Sequence, residues 1–362
     1  MATPELIPVA TQAEPTSVFL RACLGLPAQR TPVWLMRQAG RYMPEYRALR
    51  KRYGMLELIR TPELAAEVTL QPIEAFGLDA AIIFSDILPP LVGMGLDLDF
   101  VGGVGPHIAN RIERAYDVDM LGTPPAEETM AGTLEAIRIV SRELGPRGVP
   151  VIGFCGAPFT LASYAIEGGA TKEFARTKAF MLSEPAAWHR LMSRLVTVQV
   201  DYLKAQVAAG ASTLQVFDSW AGKALRQSDY VRYVQPYNTR LFEAVKGTGV
   251  PVINFSLGVS SYIEDAVACG GDVIGVDWQL PLRSSWARIG HDRPVQGNLD
   301  PTALLAPWRE LKVRIDEVLD DAAGRPGHIF NVGHGVLQTT PLDSVRRLVD
   351  YVGERTTQRV PA

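Results

Sequence analysis

Cysteine and histidine are scarce in this chain: three cysteines, Cys23, Cys155 and Cys269, and five histidines are spread over 362 residues. No CxxC and no HxC occurs, so the usual zinc and redox spacings are missing. Such scattered thiols suit free, buried cysteines in a reducing compartment, with long-range ligation as the alternative. No apolar run approaches the roughly 20 residues needed to span a bilayer. The opening MATPELIPVATQAEPT lacks the basic-then-apolar layout of a secretory signal. A cytoplasmic protein with a disordered tail over residues 1–15 is therefore expected, with no membrane partner. Neither sign of charge dominates: Lys+Arg total 36 against 39 for Asp+Glu, a formal balance of −3. That excludes a general nucleic-acid footprint, so any anion binding must come from a local cluster. The phosphate-cradling patterns GxGxxG and GxxxxGK[ST] do not follow any apolar run, and the GxSxG elbow of Ser–His hydrolases is missing. With no internal repeat or low-complexity block, residues 16–362 are expected to form a single domain.

What the chain does have is a rhythm. Short apolar runs, rich in β-branched residues, occur at residues 32–36, 80–84, 149–154, 213–217, 250–255, 272–276, 294–297 and 328–332. Near-continuous apolar runs of this length suit parallel strands buried on both faces. Helical patterns separate most of them. Thr61-Pro62-Glu63 reads as a capped helix start, as does Ser183-Glu184-Pro185. Leu191, Leu195, Val198 and Tyr202 then recur at helical spacing until Gly210. Ser228, Ser260 or Ser261, and Thr340-Pro341 are further helix starts. Eight strands alternating with helices predict an α/β protein, a single (β/α)8 TIM barrel. An open doubly wound sheet is the alternative. The Gly-rich stretch 95–120, with its alternating LDLDF, breaks the rhythm and is expected as a hairpin-like insertion after the second strand.

Active sites of such barrels form where strands run into the following loops. Arg37 and Arg41 follow the first run and flank Gln38, Ala39 and Gly40; between residues 37 and 52 five arginines and a lysine face one acid, Glu45. Guanidinium forks bind carboxylates bidentately, so this segment suits a substrate bearing several carboxylates, and the glycine permits close approach or a sharp turn. A solvated helix face is the alternative, most of all for residues 47–52. Asp86 sits among apolar neighbours, where an acid must be paired, solvated or functional. Tyr164 offers a phenol on a packing ring, or is simply a packing residue. Phe217 and Trp220 flank Asp218 and Ser219, either of which can instead cap a helix. His334 lies between two glycines after the last run and is the histidine best placed for chemistry.

The segments PVWLMRQAGRYMP (32–44), FSDIL (84–88), GFCGAPFT (153–160), QVFDSWAG (215–222), GNLDP (297–301) and NVGHG (331–335) together resemble the uroporphyrinogen decarboxylase family. Their order and spacing cover nearly the whole chain, and the arginine segment is the most specific. The resemblance implies a (β/α)8 barrel, a homodimer with facing clefts, and no metal or prosthetic group. It implies uroporphyrinogen III as substrate and coproporphyrinogen III as product, through loss of carbon dioxide from four acetate side chains. The substrate-binding residues it implies are Arg37, Gln38, Ala39, Gly40, Arg41, Asp86, Tyr164, Phe217, Ser219 and His334, with Asp86, Arg37 and His334 as the catalytic set.

Decarboxylation needs an electron sink, and no motif here demands a cofactor that supplies one. A pyrrole protonated at a ring carbon can serve: the acetate electrons flow into the cation, and protonation of the exocyclic carbon leaves a methyl group. Asp86 is expected to balance the cationic ring, and Arg37 and Arg41 to hold the remaining carboxylates. Arginine, with a pKa above about 12, is a poor general acid, so His334, water or a substrate carboxylic acid are easier proton donors. Two rival readings are a zinc-dependent methyltransferase, which needs a His/Cys ligand set, and a tetrapyrrole-binding protein without catalysis.

Overall fold

Seven of the apolar runs pair, each with the next, as parallel strands of one curled sheet. The computed structural model describes residues 16–102 and 105–357, so the tail expected at residues 1–15 lies outside the described residues. The sheet begins with β1 (Ala81–Ile82). Two short strands outside it, β2 (Leu98–Val101) and β3 (Gly105–Ile108), pair antiparallel with Leu98 opposite Ile108. The sheet resumes with β4 (Val151–Gly156), β5 (Thr213–Asp218) and β6 (Val252–Ser256). It ends with β7 (Val273–Gly275), β8 (Val295–Gln296) and β9 (His328–Ile329). The curled parallel sheet with intervening helices is consistent with a TIM-barrel-like fold. Every residue of β4 and β6 is buried, which is why these stretches read as near-continuous apolar runs.

The first run departs from expectation. Residues 32–36 form an isolated parallel bridge, Val33 with Phe330, rather than a strand. On one side the Phe330 N–H donates to Pro32 O at 2.9 Å; on the other the Asp79 N–H donates to Val33 O at 2.9 Å. The Val33 N–H, on the Asp79 side, is taken by the Asp79 carboxylate at 2.8 Å instead of by a backbone carbonyl, so no bridge forms on that side. Arg30 grips the same carboxylate with both terminal nitrogens, at 2.7 and 2.6 Å. The segment is nonetheless fixed to the sheet interior. Trp34 Nε1 donates to Gln296 Oε1 at 2.9 Å, and Gln296 Nε2 donates to Gln215 Oε1 at 3.1 Å, all of them buried.

The longest helix, Pro185–Ala208, buries Leu191, Leu195, Val198 and Tyr202 and ends two residues before Gly210, whose φ is +114°. Gln206 on this helix repairs β4 where the short β1 no longer reaches. Its Oε1 accepts the Phe154 N–H at 2.8 Å and its Nε2 donates to Phe154 O at 2.9 Å. Gly153 makes room for that amide: a β-carbon there would stand 2.6 Å from Gln206 Oε1. The expected hydroxyl caps do not form. Helices Pro62–Phe76 and Leu342–Thr356 begin without a side-chain cap from Thr61 or Thr340, and Ser228 lies inside helix Gln227–Tyr233. Where proline sits at the first helical position, one of the N–H groups that have no partner within the helix is absent from the start. Among the described residues no helix is long and apolar enough to cross a membrane.

Candidate active site

The segments after the carboxyl ends of the strands carry the polar groups singled out in the sequence. The loop after Val33 is built on Gln38, whose fully buried amide accepts the Leu35 N–H at 3.0 Å and donates to Ala80 O at 2.9 Å. Gln38 is thereby committed to holding this loop on β1. The sharp turn falls on Arg37 and not on Gly40: Arg37 has φ +62°, a left-handed conformation costly for a side-chain-bearing residue. Asn331 Oδ1 accepts the Met36 N–H at 2.9 Å, and the Val336 N–H donates to Met36 O at 2.8 Å. These bonds tie the arginine loop to the His334 loop. Gly335 completes the join, because a β-carbon on it would lie 2.3 Å from Arg37 Cδ.

Arg37 and Arg41 are exposed, Ala39 and Gly40 half-buried. Both guanidinium groups act through space on Asp86, yet neither closes an ion pair with it among the described residues. Asp86 itself is half-buried and densely surrounded, and burial pushes its carboxyl above the usual range. The Leu88 N–H, which donates to Asp86 Oδ1 at 3.0 Å, opposes that rise, followed by Arg37, the Ile87 N–H and Arg41. Further along the segment the basic residues are engaged locally: Arg50 Nη1 donates to Tyr53 O at 2.6 Å, and Arg52 lies over the Tyr53 ring at 5.2 Å.

Tyr164 belongs to the helix Pro158–Glu167 that follows β4. Its ring stacks on Trp220 at 3.9 Å, and Phe174 meets the same indole edge-on at 5.2 Å. Burial raises the phenol's pKa; the charge of Asp86 adds to the rise and that of Arg37 opposes it. Tyr164 therefore shares one electrostatic field with Asp86 and Arg37. Phe217, half-buried, presents its ring between Phe154 at 5.6 Å and Phe255 at 5.9 Å.

The Ser219 N–H donates to Thr160 Oγ1 at 3.0 Å, and Thr160 Oγ1 donates to Asp218 Oδ1 at 3.1 Å. Asp218, only 2% exposed, also accepts the Ala221 N–H at 3.1 Å and Asn238 Nδ2 at 3.3 Å. Asp218 is thus the residue at the start of the next helix that serves its backbone, and the Ser219 hydroxyl is left without a hydrogen bond among the described residues. His334 meets Trp278 edge-on at 6.2 Å. Burial, then the charges of Arg37 and Lys223, depress its pKa from 6.5 to about 4. At neutral pH it is an uncharged imidazole, able to donate or accept a hydrogen bond but not to supply a proton as imidazolium.

Sequence reasoning passed over Lys223 and Trp278. Lys223 lies four positions beyond Ser219, and Trp278 follows Asp277 after β7. Both follow strand ends, the signal that could have found them. The three cysteines are free and buried, and among the described residues no cluster of three or more His, Cys, Asp or Glu side chains is placed to hold a metal ion.

The profile of a family described as "Uroporphyrinogen decarboxylase (URO-D)" matches residues 14–355. A uroporphyrinogen decarboxylase of Roseiflexus sp. (strain RS-1) is 54% identical over 343 residues, covering 93% of this chain and 98% of its own. Another, from Thermus thermophilus, is 50% identical over 337 residues, covering 93% and 97%. Among solved structures, a methyltransferase from Methanosarcina mazei superposes with a TM-score of 0.78 at 19% identity, over 93% of this chain and 97% of that one. At that identity the likeness speaks for the fold.

Proposed function

Because the chain belongs to the uroporphyrinogen decarboxylase family, we propose that it removes carbon dioxide from the four acetate side chains of uroporphyrinogen III to give coproporphyrinogen III. One observation carries the assignment of the site: Arg37 and Arg41 both act on a half-buried Asp86 without pairing with it, and Tyr164 lies in the same field. A carboxylate with nearby cations that do not neutralise it by contact can still accept hydrogen bonds from pyrrole N–H groups.

In this reading Asp86 balances the positive charge on the protonated pyrrole as the carbon–carbon bond breaks. Electrostatic stabilisation of this kind, in a site partly closed to water, is commonly the largest catalytic contribution. Arg37 and Arg41 hold carboxylates of the macrocycle, and Tyr164 and Ser219 donate hydroxyl hydrogen bonds. Phe217 packs on the ring face. Neutral His334 orients a carboxylate or water by hydrogen bonding, which leaves water or a substrate carboxylic acid as the carrier of the proton. Gln38, Ala39 and Gly40 shape the arginine loop. The residues present require no metal or prosthetic group for this scheme.

The same reading takes residues 16–362 as one domain, a closed (β/α)8 barrel with residues 32–36 as its first strand and residues 95–120 inserted after the second strand. The bonds from Pro32 and Val33 to Phe330 and Asp79 support that closure. It also takes the protein as a cytoplasmic homodimer. Tyr116, Met120 and Leu182 are large apolar side chains left exposed, of the kind a second copy covers.

The test is incubation with uroporphyrinogen III under anaerobic conditions, followed by oxidation and chromatography of the porphyrins. The expected result is a progression to coproporphyrin. Tight binding of the substrate with no carboxyl loss would instead favour a carrier.

A further inference from the structure

Lys223 sits in the short helix Ala221–Ala224, directly after the loop that carries Ser219. That helix is pinned at both ends of its first residue. The Ala221 N–H donates to buried Asp218, and the Tyr262 hydroxyl donates to Ala221 O at 3.4 Å. Gly222 presses on the loop after β6, where a β-carbon would meet Leu257 O at 2.3 Å and the Gly258 carbonyl carbon at 2.5 Å. The lysine stem runs over Gly258, with Cγ 3.5 Å from where a β-carbon would stand, and the Gly258 N–H is itself held by Asp277 Oδ2 at 2.7 Å. A flexible side chain is thus launched from a backbone fixed by two strand-end loops.

Lys223 is exposed, and its ammonium makes no hydrogen bond or ion pair among the described residues. Its charge nevertheless reaches His334, on the loop after β9. An unpaired ammonium beside the candidate site has an evident use if the ligand is a polycarboxylate. The chain as a whole is mildly acidic, with a formal charge of −3, so it provides no general attraction for such a ligand. The attraction must come from local cations. Arg37 and Arg41 are two, and a macrocycle bearing carboxylates around its whole rim presents more than two arginines can meet.

We propose that Lys223 is a further substrate-binding residue that holds a peripheral carboxylate of the tetrapyrrole on the His334 side of the site. The proposal rests on the decarboxylase reading above. Lysine acts here as a point charge on a mobile stem, so it can follow different carboxylates as the macrocycle is reoriented between successive decarboxylations.

The experiment compares wild type, Lys223→Met and Lys223→Arg, with uroporphyrinogen III as substrate across a range of salt concentrations. Lys223→Met is expected to raise KM at least fivefold with kcat changed less than twofold, and to flatten the salt dependence of kcat/KM. Lys223→Arg is expected to restore KM to within twofold of wild type. In the methionine variant the His334 imidazole, followed by NMR, is expected to titrate at higher pH, because a neighbouring positive charge is gone; a titration that stays put overturns the placement of Lys223 on the His334 side of the site. Unchanged KM and salt dependence in folded Lys223→Met overturns the proposal. Should wild type release no carbon dioxide, the decarboxylase reading fails separately. Binding of uroporphyrin, read by fluorescence, then decides on Lys223: weaker binding to the methionine variant supports the carboxylate contact, and equal binding overturns it.

Discussion

The side chain of Arg37 lies flat on the backbone of Gly335, so that even one added methyl there would stand 2.3 Å from Arg37 Cδ and 2.7 Å from Cγ. Gly335 has no need of a left-handed backbone; its value is the space it leaves. Gly335→Ala is therefore expected to push the guanidinium off its present course while the fold persists. A loss of at least tenfold in kcat/KM is expected, about 1.4 kcal/mol of transition-state stabilisation. Far-ultraviolet circular dichroism is expected to match wild type. Normal kinetics in Gly335→Ala would detach Arg37 from the reaction.

Asp86 is the group whose protonation state the scheme depends on. Burial raises its pKa, and the charge of Arg37 restrains the rise. The acid limb of the kcat/KM profile is then expected above the ordinary aspartate range, with activity lost as pH falls through that raised value. Arg37→Gln removes one restraining charge and is expected to move the limb to higher pH, in addition to weakening substrate binding. Asp86→Ala is expected to lower kcat by more than tenfold, and by more than Asp86→Glu, since the cation loses its counter-charge altogether. A limb that stays put in Arg37→Gln would mean that another group titrates.

How much of this was legible in the sequence depends on what kind of signal each feature left. Seven strands could be read because burial on both faces forces near-continuous apolar runs, as in β4. The run at residues 32–36 looks the same, but whether it pairs as a strand depends on Asp79, 46 residues away, whose carboxylate takes the Val33 N–H. No local pattern carries that information. Within the site, Arg37, Arg41 and Asp86 were visible as charges at the ends of apolar runs. The strain on Arg37 was not, since glycine at position 40 is the residue that advertises a turn. Gln38 likewise reads as one more polar residue of the loop, although its amide is spent on Leu35 and Ala80. Lys223 carries an ordinary surface charge in an ordinary helical tetrapeptide, and only the packing of Gly222 on Leu257 reveals how its backbone is fixed.

His328 offers a test of stability that is independent of activity. It is 3% exposed, its Nε2 is 2.9 Å from Gly297 O, and burial depresses its pKa to about 4. An unfolded chain binds a proton at this residue near pH 6.5, while the folded one resists until about pH 4. The folded state therefore loses stability as pH falls through that window, by at most roughly 3 kcal/mol from this one residue. Replacing it with a side chain that does not titrate there, as in His328→Gln, is expected to lower the proton uptake on unfolding between pH 6 and 4. Denaturant midpoints measured across that range give the comparison, and identical pH slopes for variant and wild type would show that His328 is protonated alike in both states.

Asp218 joins two of the segments that frame the site. One oxygen accepts both Thr160 Oγ1 and the Ala221 N–H, the other accepts Asn238, and Thr160 in turn receives the Ser219 N–H. Thr160 lies on the helix that presents Tyr164, and Ala221 opens the helix that presents Lys223. Burial raises the Asp218 pKa, against the lowering effect of Ala221, Thr160, Asn238 and the Trp220 N–H. Truncation to alanine leaves several buried donors unpaired, at a cost of about 1–3 kcal/mol each if none finds water. Asp218→Asn keeps the shape but turns one acceptor into a donor that faces either Asn238 Nδ2 or the Thr160 and Ala221 donors. Both variants are expected to be less stable than wild type, and alanine more so. If the two helices move with the loss of this anchor, kcat/KM falls along with the melting temperature, and Tyr164 and Lys223 lose their registration together. A variant that melts early yet keeps full kcat/KM at low temperature would confine Asp218 to the stability of the fold.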